Sequence, residues 1–92
     1  MAPRMLLRLY VVGGTPASER ALQGVERLRA ALEDADLEVV DLRERPDVAE
    51  QERIVATPLL MRVSPEPVRR VVGDLSDAER VRWSLGLPEA RA

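Results

Sequence analysis

From Met5 to Val12 the chain is almost continuously apolar, interrupted by Arg8 alone, which predicts a central strand buried on both faces. The run stops at Gly13-Gly14. Thr15 then offers a hydroxyl able to cap a helix, and Pro16 falls at the first helical position, where its missing N–H costs nothing. Ala21, Val25, Leu28 and Leu32 recur at steps of 4, 3 and 4, with Glu19, Arg20, Gln23, Glu26, Arg27 and Arg29 on other faces. That spacing predicts an amphipathic helix reaching about Glu33 and ended by Asp34 to Asp36. Leu37 to Leu42 is a short β-rich run, so strand, helix and strand form a right-handed crossover with parallel strands.

The charged stretch Asp47 to Arg53 carries Val48 and Ala49, followed by Ile54 and Val55, and predicts a short second helix with one narrow apolar stripe. Thr57-Pro58 breaks it, because a residue before proline is pushed out of the helical region. Leu59 to Val63 reads as a strand, Ser64-Pro65-Glu66-Pro67 as a turn, and Val68 to Val72 as a hairpin partner. Ser76 followed by Glu79 fits a capping box, predicting a last helix over Asp77 to Leu85, while Pro88 to Ala92 is expected to fray. The order β-α-β-α-β-β-α is the thioredoxin-like arrangement, an α/β fold: two crossover units joined by a threonine-proline corner, then a terminal hairpin and helix. A single domain spans residues 1–92, with no internal repeat.

Two periods are written over the carboxy-terminal third. Val68, Val71, Val72 and Leu75 stand at helical spacing within a stretch that also reads as a strand. Val81, Trp83, Leu85 and Leu87 alternate with period two, while Ala78, Val81 and Leu85 share one helical face. Such disagreement between levels means either a tolerated compromise or two competing packings.

Composition narrows the chemistry sharply. The 92 residues hold 14 basic and 16 acidic side chains, a net charge of −2, and no Cys, His, Lys or Phe. Thiol redox chemistry, the usual zinc sites, an imidazole base, a lysine Schiff base and a Walker-type loop are therefore excluded. No enzyme activity and no cofactor are expected. Thr15 and Ser18 have the spacing of a redox cysteine pair, but hydroxyls form no disulfide; capping and turn chemistry is their ordinary role. Gly13-Gly14 without a following G-x-G-x-x-G fits a tight strand-to-helix turn better than a phosphate cradle. No apolar run approaches the roughly 18 residues of a membrane span, and Met-Ala-Pro-Arg-Met resembles no secretory signal. A soluble, cytoplasmic protein is the expectation. The charge balance and two aromatics argue against a nucleic-acid face.

Three blocks of residues carry a family resemblance. Leu9-Tyr10-Val11-Val12-Gly13-Gly14-Thr15-Pro16-Ala17-Ser18 resembles the first strand and helix start of the KaiB family of circadian clock proteins. Pro46 to Glu50 and Ile54-Val55-Ala56-Thr57-Pro58-Leu59-Leu60 resemble its middle segment, and Pro67-Val68-Arg69-Arg70-Val71-Val72-Gly73-Asp74-Leu75-Ser76 its most recognisable stretch. The resemblance implies a non-enzymatic protein that binds the hexameric ATPase KaiC and, in cyanobacteria, helps capture KaiA. It also implies two folds: a thioredoxin-like monomer that binds KaiC, and a ground state, commonly tetrameric, with a rearranged carboxy-terminal half. Under it, Val68, Val71, Val72 and Leu75 are strand in one state and helical in the other, while Val81, Trp83, Ser84, Leu85, Gly86 and Leu87 do the reverse.

The resemblance further marks Arg20, Arg53, Arg62, Arg69 and Arg70 as ion-pair donors to an acidic rim on KaiC, for which Arg suits bidentate geometry. Their ordinary explanation is a solvated face. Val48 and Ala49 would supply the apolar centre of the contact, or else face their own core. Pro58 matches the threonine-proline corner that is cis in thioredoxin-like folds. Tyr10 and Trp83 are expected in the core, with Trp83 a reporter of either fold. Ser84 and Gly86 replace a Gly and an Asp of the cyanobacterial pattern, and the acidic tail is absent. Ser84 should extend the last helix and Gly86 cap it in the left-handed conformation, favouring a mainly monomeric thioredoxin-like state. The alternatives are a detached sensory or adaptor module, like the domain at the front of clock-output histidine kinases, and a KaiB-like stress-response adaptor outside a true oscillator.

Overall fold

The computed structural model describes residues 4–88. Strand β1 (Met5–Val11) leads through α1 (Pro16–Ala30) to β2 (Ala35–Asp41); α2 (Pro46–Gln51) follows, then β3 (Leu59–Ser64), β4 (Arg69–Val72) and α3 (Ala78–Leu85). The sheet runs β2-β1-β3-β4, with β1 parallel to β2 and antiparallel to β3, and β3 antiparallel to β4. This is the thioredoxin-like arrangement. The first crossover is parallel as expected; the second is not a crossover, because β3 returns antiparallel along β1.

Alternation along the strands divides the core in two. On one face Leu7, Leu9, Val11, Leu60 and Val71 meet Ala21, Val25 and Leu28 of α1 and Val81 and Leu85 of α3. On the other, Tyr10, Leu59 and Met61 form a smaller cluster, against which Val48, Ile54, Val40 and Val63 pack half-buried. The first face takes two amphipathic helices; the second is covered by the six-residue α2 and the loop behind it. Gly24 sits in the middle of α1 because a Cβ there would stand 3.2 Å from the Leu75 carbonyl oxygen.

The helix ends follow local chemistry. Thr15 caps α1 by accepting the Ser18 N–H at 3.1 Å, with Pro16 in the first turn. Helix α1 stops at Ala30, short of the expected Glu33, and Asp34 turns the chain at φ +54°. Helix α3 is capped by Asp77, whose carboxylate accepts the Arg80 N–H at 3.1 Å, rather than by Ser76. It includes Ser84 and closes on left-handed Gly86 at φ 64°. Trp83 departs from the expected core position: it is 86% exposed. Residues two apart on a helix point roughly 200° apart, so burying Val81 and Leu85 turns Trp83 outward. Tyr10, by contrast, is fully buried. The Thr57–Pro58, Ser64–Pro65 and Glu66–Pro67 peptides are cis. Of the tail expected to fray, residues 89–92 lie outside the described residues.

Candidate functional site

The corner where thioredoxins keep their cysteines is occupied by hydroxyls already in use. Thr15 Oγ1 lies 2.8 Å from Ser18 Oγ, and Ser18, itself buried, donates to the Val12 carbonyl at 2.5 Å. Next to it, the Gly13 N–H donates to Asp41 at 3.2 Å, and the Arg43 side chain pairs with the same carboxylate at 2.9 Å. Arg43, helped by the backbone N–H groups of Arg43 and Gly13, holds the Asp41 carboxyl well below the usual carboxylate range. A Cβ on Gly13 would collide with both side chains. The glycine pair thus makes room for an ion pair, as a tight turn would need, and no phosphate cradle is formed.

A different surface gathers exposed apolar and basic groups: the loop leaving α2 and the edge strand β4 beside it. Helix α2 ends in a Schellman motif, with Ile54 N–H donating to Ala49 O at 2.8 Å and Arg53 N–H to Glu50 O at 3.3 Å. The left-handed position of that motif, usually glycine, is held by Arg53 at φ 55°. Arg70 reaches from β4 to finish the cap: its Nη2 donates to the Glu52 carbonyl at 2.6 Å and its Nη1 to the Arg53 carbonyl at 3.3 Å. A guanidinium at a helix carboxy terminus also complements the dipole. Ile54 is drawn inward under the smaller core, and Val55 is consequently turned out, 96% exposed. Val72, on the same strand face as Arg70, is 42% exposed. The result is an exposed Val55 next to Arg53, tied by Arg70 to the edge strand β4, which also exposes Val72.

The sequence-derived residues distribute unevenly over this surface. Arg53 and Arg70 lie in it, and exposed Arg69 stands on the opposite face of the same edge strand, its guanidinium near Gly86. Val48 and Ala49 are half-buried, and Val48 packs against Tyr10, Leu59 and Met61, so it serves its own core. Arg62 is not on the outer surface: it is 7% exposed, donating to the Gly86 carbonyl at 3.2 Å and the Pro67 carbonyl at 2.8 Å. Arg20 lies elsewhere, on a cleft of about 500 Å³ between the start of α1, Pro58 and the loop Gly73 to Ser76, where its charge faces Asp74. Sequence alone makes Val55 the end of the α2 stripe and so does not single it out. Its signal was position: it lies beyond the helix and just before Thr57-Pro58, where no helical period applies.

The KaiB domain family matches residues 8–87. The circadian clock oscillator protein KaiB of Prochlorococcus marinus (strain MIT 9303) is 47% identical over 94 residues, covering 95% of this chain and 76% of that protein. The protein of the same name from Synechococcus sp. (strain RCC307) is likewise 47% identical, with 95% and 83% covered. Among solved structures, the N-terminal domain of Synechococcus elongatus SasA superposes with a TM-score of 0.76 at 30% identity, covering all of this chain and 92% of that one. Mitochondrial thioredoxin 3 of Saccharomyces cerevisiae gives 0.74 at 14% identity, with 91% and 78% covered, a likeness of fold alone.

Proposed function

The chain belongs to the KaiB family, and from that premise we propose that it is a clock-type regulatory protein without catalytic activity, docking in its thioredoxin-like state on a KaiC-like ATPase hexamer. The observation that carries this reading is the patch at the end of α2. Val55 at 96% exposure is an apolar side chain with no packing role, of the kind that fills a pocket at the centre of an interface. Arg53 holds a left-handed backbone that an unconstrained chain avoids at a cost of roughly 1 kcal/mol. Strain of this kind clusters where a side chain is needed for recognition. Exposed Arg53 gives a bidentate donor for an acidic rim, while Arg70 shapes the loop through its two carbonyl partners and Arg69 presents its charge on the other face of the edge strand. Val48, Ala49 and Arg62 act on this reading through the fold, Val48 and Ala49 by supporting α2; Arg20 belongs to a separate surface.

The test is binding of the purified chain to a KaiC-like hexamer by sedimentation. Val55→Asp and Arg53→Glu should each weaken the complex at least tenfold, and Arg27→Glu, on the exposed side of α1, should leave it unchanged. Native-like binding by Val55→Asp overturns the docking site; absence of binding by the native chain overturns the function. We place the protein in the cytoplasm as a monomer, with a tetramer the signature of a rearranged ground state; among the described residues no helix is long and apolar enough to cross a membrane. A KaiA-like partner or a histidine kinase would act on the assembled complex.

The likeness to the SasA N-terminal domain favours a second reading, an adaptor that binds with one fixed fold. A spectrum assigning strand or helix to residues 68–87, with and without the hexamer, separates the two. Population shift requires those residues to change state by no more than the partner's differential affinity supports; the adaptor requires them to stay as they are.

A further inference from the structure

Arg62 is the most unusual ionisable group in the molecule. It lies on β3 two residues beyond Leu60, on the face that α1 and α3 cover, and all but 7% of it is removed from solvent. A cation so placed normally meets a carboxylate, because its desolvation is unfavourable unless geometry and hydrogen bonds compensate. Among the described residues no carboxylate is paired with it. Its partners are two backbone carbonyls, Gly86 at 3.2 Å and Pro67 at 2.8 Å, and its Nε has none. The Gly86 carbonyl lies at the carboxy terminus of α3, the negative end of the helix dipole, which is what makes the position tolerable.

The two carbonyls belong to different segments. Pro67 is the residue from which the chain turns into β4, and Gly86 is the residue on which α3 closes. One guanidinium therefore ties both ends of residues 68–85 to the central sheet. These are also the residues whose sequence carries two periods, so local preference does not decide their conformation and tertiary contacts must. Buried apolar contacts from Val71, Leu75, Val81 and Leu85 hold the middle of the segment; Arg62 holds its boundaries.

We propose that Arg62 is a latch that keeps β4 and α3 on the sheet as one cooperative unit, so that its loss opens this unit while β1, α1 and β2 stay folded. The latch is a property of the free chain and does not depend on the partner reading. A positioning role of this kind is distinguished from general stabilisation by where protection is lost. Native-state hydrogen exchange of Arg62→Met, which keeps the apolar stem and removes the donors, should show at least tenfold faster exchange in Arg69–Val72 and Ala78–Leu85, against less than threefold in β1 and α1. Arg62→Lys, a point charge able to serve one carbonyl at a time, should lose an intermediate amount in the same two elements. Unchanged or increased protection in Arg62→Met overturns the latch. So does a loss spread evenly over all elements. If Arg62→Met does not fold, native exchange in Arg62→Lys overturns it in the same way.

Discussion

Two helices of this protein end on the same backbone motif, and the hairpin β3–β4 clips each of them with a guanidinium, yet the two ends are built for different purposes. Helix α3 closes with Leu87 N–H on Arg82 O at 2.8 Å and Gly86 N–H on Trp83 O at 3.2 Å, the counterpart of the closure at α2. There the left-handed residue is glycine, the following Leu87 is buried, and the clip is buried Arg62. At α2 the left-handed residue is Arg53, the following Ile54 is half-buried, and the clip is exposed Arg70. The α3 end obeys every rule for a stable stop; the α2 end breaks one and carries an exposed valine just past it. The first is anchored, and the second keeps strain and an exposed apolar group, the features on which the proposed docking rests.

Six substitutions, one of them read against pH, probe this difference. The largest effect belongs to Gly86→Val, a β-branched residue at φ +64°, which should cost about 2 kcal/mol in urea denaturation. Arg53→Ala should cost a small fraction of that, because a side chain unbranched at Cβ already occupies the left-handed position. Next, Asp77→Ala should lose about 1 kcal/mol by uncapping α3, whereas α2 has no side-chain cap to lose, and Arg45→Asp should gain a comparable or smaller amount there. Arg53→Gly should raise stability by about 0.5–1 kcal/mol while weakening the hexamer complex; greater stability with full binding would remove the functional meaning of the strain. The smallest effect is acid-dependent. Hydrogen bonds from Ser76, side chain first and then backbone, hold the Asp74 carboxyl below its ordinary value before α3. A depressed pKa contributes stability above the unfolded value and loses it as pH falls through the folded one. Asp74→Asn should therefore be less stable than the native chain at neutral pH, and the two should converge below about pH 4 in urea midpoints.

Legibility follows the same division. Helix α1 could be read from Thr15, Pro16 and four apolar residues in register, because length and periodicity agree with the capping signals. Gly86 was readable as a left-handed stop for the same reason. Trp83 was misplaced because a period-two pattern and residue type both suggested burial, while the helix uses only Val81 and Leu85 inward. By composition Arg62 reads as surface charge, since charge outweighs position there; its place two residues from Leu60, on the same strand face, carries the contrary signal. The antiparallel return of β3 left no mark at all, as strand direction depends on how α2 crosses the far face. Val55 became conspicuous only once the Schellman closure showed Ile54 drawn in.

The contact between Arg70 and the α2 loop makes the proposed docking patch a composite. Its apolar tip is carried by one stretch of chain, and the bonds that shape it come from another, so neither can be moved without spoiling the whole. On the proposed reading, a partner gripping Val55 would in effect interrogate strand β4, through one side chain and two carbonyl oxygens. Recognition and tertiary order at this edge would then be a single variable, and a chain whose hairpin has come apart would be invisible to the proposed partner.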